Sequence, residues 1–126
     1  MSGLPIPPRP RRAALAVALA FALSPRPVWA HAILESSEPA AGGTVRAGPI
    51  TLKLRFNSRI DRERSRLTLT HPDQSKTSPP IDPDGPPDLL TAALTLTPGA
   101  YVVRWQVLAI DGHITRGDVA FTVTDP

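Results

Sequence analysis

The sequence contains no cysteine, and its single methionine is the initiator Met1. The first absence excludes disulfide staples and thiolate metal ligands, so a domain built from this chain must hold together by core packing. The second removes the thioether donors that favour Cu(I). Aromatic residues make up only 5% of the chain, too few for a broad sugar-stacking face. No apolar run reaches the roughly 20 residues that a membrane-spanning helix needs. No long stretch shows the periodicity of an amphipathic helix either.

What stands at the amino terminus is a shorter apolar run with export-signal features. Arg9, Arg11 and Arg12 form a positive leader, Ala13 to Leu23 are apolar, and Pro25-Arg-Pro-Val-Trp-Ala30 supplies a breaker and a small residue before a cut. Val28 replaces the alanine commoner at that position. The reading is a signal peptide over residues 1–30, cleaved after Ala30, and one domain over residues 31–126 that meets the membrane only during export. Arg11-Arg12 is compatible with general or twin-arginine export.

Removing the signal changes the charge. The whole chain carries a formal +3, but four of its fourteen basic residues leave with residues 1–30 and no acid does, so ten remain against eleven acids, a formal −1. The basic character therefore belongs to the leader and argues against a nucleic-acid partner.

The mature part reads as all-β. Thr51-Leu-Lys-Leu-Arg-Phe56 alternates apolar and polar residues, as do Arg66 to Thr70, Ala92 to Thr97, Tyr101 to Ala109 and Val119 to Val123. Turn signals at Glu38 to Gly43, Ala47-Gly-Pro49, His71-Pro-Asp73, Pro98-Gly99 and Asp111-Gly112 punctuate them. This rhythm predicts a small Greek-key β-sandwich or barrel, immunoglobulin-like, with Trp105 and Tyr101 in the core. Ser75 to Asp88 is expected as a surface loop, and the charge run Arg59 to Arg66 as a solvated loop or single helical turn.

Cleavage after Ala30 makes His31 amino-terminal. Its α-amine and ring Nδ1 can then close a chelate on one metal. Asp111 and His113 lie two residues apart, so on an extended segment their side chains leave the same face; a simple hairpin turn at Asp111-Gly112 is the alternative. An amine, two imidazoles and one carboxylate suit tetragonal Cu(II), with Ni(II) possible in principle and Zn(II) competing less well. Binding is expected to weaken in acid, because the amine and rings must lose protons to coordinate. His71 is expected as an exposed turn residue.

His31-Ala-Ile-Leu-Glu-Ser-Ser-Glu-Pro-Ala40 resembles the mature start of the CopC family of periplasmic copper-binding proteins, H-A-x-L-x-x-S-x-P-A. Asp111-Gly-His-Ile-Thr-Arg-Gly117 matches its D-x-H-x-x-x-G, and Trp105 lies in the preceding strand as in relatives. The resemblance implies one Cu(II) site formed by His31, Asp111 and His113 in a non-enzymatic periplasmic carrier or buffer, with an inner-membrane copper importer as a partner. Two departures stand out. Some relatives have a Glu after the first long strand where this chain runs Phe56-Asn57-Ser58-Arg59, so Ser58 offers only a hydroxyl. Others carry a methionine-rich Cu(I) loop, absent here. Arg116 and Asp118 flank the motif as candidates for contacts that orient ligands.

Two rival readings share parts of the pattern. A copper monooxygenase-type oxidase also uses an amino-terminal histidine with a second histidine, but the mature domain's single tryptophan leaves no broad polysaccharide face. An Asp ligand would also occupy copper otherwise open to oxygen. An immunoglobulin-like interaction module would carry its histidines incidentally and give no nitrogen-ligated Cu(II) signal.

Overall fold

The computed structural model describes residues 3–5 and 32–126. The apolar leader, the cut after Ala30 and His31 lie outside the described residues. Eight strands form the domain: β1 (Leu34–Glu38), β2 (Thr44–Arg46), β3 (Gly48–Phe56), β4 (Ile60–Thr70), β5 (Lys76–Thr77), β6 (Leu89–Leu96), β7 (Gly99–Ala109) and β8 (Ile114–Thr124). They make a two-sheet sandwich. One sheet has the order β1-β3-β6, the other β2-β8-β7-β4-β5, with β2 parallel to β8 and the other pairs antiparallel.

Alternation decides which faces meet. Leu52, Leu54 and Phe56 of β3 and Leu90, Ala92 and Leu96 of β6 face Leu67 and Leu69 of β4, Tyr101 to Ala109 at every second position of β7, and Val119, Phe121 and Val123 of β8. Burial of this kind contributes about 25 cal/mol per Å² of apolar surface, the main favourable term in a domain without disulfides. Phe56 and Trp105 meet edge-on across the sheets at 5.2 Å, and Tyr101 stacks on its cross-strand partner Phe121 at 5.7 Å.

The charge run is not a loop or helical turn: Ile60 to Arg66 belongs to β4. Pairing with β7 jumps from Asp61–Leu108 to Arg66–Gln106, so several β4 residues bulge out of register. The bulge is held from inside by Ser65, whose Oγ donates to the Asp61 carbonyl at 2.6 Å and accepts the Leu108 N–H at 3.4 Å. Polar residues persist in this strand because the bulge turns them toward backbone partners rather than into the apolar layer. The Arg62 guanidinium, for instance, donates to the carbonyls of Pro86 and Leu89.

Ser75 to Asp88 is largely exposed, as expected, yet it begins with the short edge strand β5 and ends as a strap between the sheets. The Asp88 and Pro87 carbonyls accept the N–H groups of Phe56 and Ile60, and the Asp82 N–H donates to the Thr91 carbonyl. These bonds fix the start of β4 beside the end of β3, and with it the short connection Asn57-Ser58-Arg59.

Candidate metal centre

β7 and β8 meet in a hairpin whose loop is Ile110-Asp111-Gly112. The Ala109 N–H donates to the His113 carbonyl at 2.8 Å and the Gly112 N–H to the Ala109 carbonyl at 2.9 Å. Gly112 has φ 89°, the left-handed conformation that a three-residue hairpin loop requires at this position. Asp111 and His113 therefore meet through a turn, not along an extended segment. The carboxylate closes that turn: Asp111 Oδ1 accepts the His113 N–H at 3.0 Å, and Oδ2 lies 3.0 Å from His113 Nδ1. A carboxylate on Nδ1 places the ring proton there and the lone pair on Nε2. The hairpin and the Asp111–His113 pair are one feature.

The amino-terminal segment converges on the same end of the sandwich. Ala32 is buried, 1% exposed, and its carbonyl accepts the Thr115 hydroxyl at 2.8 Å. Ile33 exchanges two bonds with Asn57: its N–H donates to Asn57 Oδ1 at 2.8 Å, and its carbonyl accepts the Asn57 N–H at 3.0 Å. Two residues further on, the Arg59 carbonyl accepts the Ile110 N–H at 3.2 Å. A single short connection thus ties both the amino-terminal segment and the Asp111–His113 hairpin to the end of β3. Between Asn57 and Arg59, Ser58 contributes a buried hydroxyl with no hydrogen-bond partner among the described residues.

Ile33, Ile110 and Ile114 are the exposed large hydrophobics among residues 32–126, at 60%, 67% and 52% exposure, and all three belong to these segments. Gly117, the last residue of the hairpin motif, is required by packing: a Cβ there would lie 2.4 Å from Cζ2 of its cross-strand partner Trp105.

Among the described residues, no group of three or more His, Cys, Asp or Glu side chains could hold a metal. Of the three ligands expected, the structure brings Asp111 and His113 together, while His31 lies outside the described residues. The donor chemistry of the pair, a carboxylate and an imidazole with no sulfur, fits a divalent ion such as Cu(II). Arg116 and Asp118 do not join the pair: Arg116 donates to Gln106 and Asp118 accepts from Arg104, both across to β7. His71 stands at the far end of β4, half-buried rather than exposed, its Nε2 2.9 Å from Thr77 Oγ1.

Asn57 and Thr115 were not legible as site residues. Thr115 follows His113 by two, and Asn57 lies in the stretch Phe56 to Arg59 that departs from relatives with a Glu there, but neither signal pointed to the amino-terminal segment.

A sequence model of the CopC domain matches residues 34–124. Protein YobA of Escherichia coli K12 is 35% identical over 119 residues, covering 91% of this chain and 95% of its own. Copper resistance protein C of Xanthomonas campestris pv. juglandis is 28% identical over 117 residues, covering 85% and 91%. Among solved structures, CopC from Methylosinus trichosporium OB3b superposes with a TM-score of 0.69 at 32% identity, covering 75% of this chain and 95% of that one. PcoC, a methionine-rich copper resistance protein from Escherichia coli, gives 0.59 at 28% identity, covering 75% and 100%.

Proposed function

The chain belongs to the CopC family, and from that premise we propose that it is an exported, non-enzymatic carrier or buffer of Cu(II), released into the periplasm by a cut after Ala30. One observation carries this reading. The Asp111 carboxylate and the His113 ring stand 3.0 Å apart at the end of the sandwich where the amino-terminal segment is anchored at Ala32 and Ile33.

Copper is cargo here, held by the His31 amine and ring, the Asp111 carboxylate and the His113 ring. The chain's own part is preparatory. Asp111 selects the His113 tautomer, the hairpin holds both side chains on one turn, and cleavage converts the His31 nitrogen from an amide, which cannot coordinate as an amine, into a donor. Filling the carboxylate position leaves less of the metal open to oxygen, in keeping with carriage rather than oxidation. An inner-membrane copper importer is the proposed recipient.

The test compares protein beginning at His31 with protein carrying one extra residue before it. The expected outcome is a 1:1 nitrogen-rich Cu(II) electron paramagnetic resonance signal for the authentic protein, with weaker binding and an altered signal for the extended one. Equal, tight binding by both would remove the amine from the ligand set.

A further inference from the structure

Granting the Cu(II) site proposed above, we infer that Asn57 and Thr115 are positioning residues for it: they clamp Ala32 and Ile33 and so set the register at which the first residue of the mature chain meets the Asp111–His113 turn.

The clamp spans the two sheets. Asn57 follows β3 of the smaller sheet and Thr115 lies in β8 of the larger. The segment between them is held by three hydrogen bonds of 2.8 to 3.0 Å, two at Ile33 and one at the Ala32 carbonyl. Ala32 itself belongs to the core cluster, whereas Ile33 faces outward. A methyl group in the core and a paired backbone on either side of it leave the segment one register. Sliding it by one residue would move the buried methyl out and bring an isoleucine in, with every bond lost.

Thr115 couples this clamp to the metal end. It lies two residues beyond His113, which places the two about 7 Å apart along an extended chain. The hydroxyl that grips Ala32 thus stands at the start of β8, the strand that the ligand ring immediately precedes. Neither Asn57 nor Thr115 is a metal ligand in this arrangement. Their effect is on where an amine one residue upstream of Ala32 is delivered, a contribution that would otherwise be lost to the conformational freedom of a chain terminus.

The experiment uses mature protein beginning at His31 and Cu(II) as the probe. Thr115→Val keeps the shape and removes the hydroxyl; Asn57→Ala removes the side-chain acceptor; Thr115→Ser restores the bond. Affinity is measured by chelator competition, the ligand field by electron paramagnetic resonance, and clamp opening by amide exchange at Ala32 to Leu34 without copper. The expected result is a loss of about 10–100-fold in affinity for the first two variants, the range typical of contacts that orient ligands. Faster exchange at Ile33 and a broadened or nitrogen-poorer spectrum should accompany it, with recovery in Thr115→Ser. Wild-type affinity and spectrum in folded Thr115→Val would overturn the inference, as would a lower melting temperature with the spectrum unchanged. If Asn57→Ala fails to fold, the Thr115 pair decides. Absence of tight Cu(II) binding in the unaltered protein would instead overturn the site itself, and the positioning role with it, even where the amide exchange reports an intact clamp.

Discussion

The hairpin after β7 and the turn after β4 each carry a histidine and an aspartate two residues apart, and at both the aspartate Oδ1 accepts a backbone N–H two residues on: Asp111 from His113 and Asp73 from Ser75. At the hairpin end the acid precedes the histidine, so the residue whose N–H it accepts is the histidine itself, and its second oxygen is left facing the ring. At the other end the order is His71-Pro72-Asp73. Asp73 spends itself on Ser75, accepting its hydroxyl at 2.6 Å as well as its N–H, and these bonds hold its carboxyl below the usual carboxylate range. His71 turns to Thr77 and lies edge-on against Tyr101 at 5.5 Å. Tyr101 in turn donates to the Thr97 carbonyl at 2.9 Å, in the manner of a tyrosine corner. The same two residue types at the same spacing serve a candidate metal site at one end and packing at the other. Order along the chain makes the difference.

The sharpest way to break this contrast is to remove each histidine. His113→Ala is expected to weaken Cu(II) binding by more than the roughly 10–100-fold that loss of an orienting contact costs, whereas His71→Ala leaves chelator-measured affinity unchanged. Equal losses would mean that the far end also takes copper. A smaller effect of the opposite kind is expected from Tyr101→Phe. Losing the bond to Thr97 costs about 1 kcal/mol, which lowers the melting temperature by roughly 4–8 °C in a domain of this size, with copper affinity intact. Smallest is Asp73→Asn. Because folding depresses the Asp73 pKa, its contribution is present above the unfolded carboxylate value and disappears as pH falls through the lower folded one. Urea denaturation should therefore show the variant slightly less stable at neutral pH and indistinguishable below the carboxylate range. A constant difference at both would place the effect elsewhere.

Strands β3 and β7 and the second half of β8 were legible because each buries one face, and burial of one face imposes a period of two that the residues display directly; Ile114 to Asp118 of β8 are mostly exposed and were missed. β1 and β2 escaped notice: Leu34-Glu-Ser-Ser-Glu38 and Thr44-Val-Arg46 are short and mostly exposed, so they carry little apolar pattern. The first half of β4 was misread for a related reason. Its residues sit on a bulge where Arg62 finds its partners in the strap at Pro86 and Leu89, more than 20 residues away, and nothing in Arg59 to Arg66 announces those partners.

For the candidate site the division is similar. The hairpin, its glycine and the pairing of Asp111 with His113 are settled by neighbours two to four residues apart, so the sequence by itself determined them, along with the all-β class, the absence of sulfur ligands and the family motifs. The meeting of that hairpin with the amino-terminal segment was decided only by the tertiary structure. Thr115 grips Ala32 across 83 residues of sequence and Asn57 grips Ile33 across 24. Such bonds form only after both sheets have closed over a common core, because their geometry is set by where the strands end and not by the residues that lie beside them in the chain.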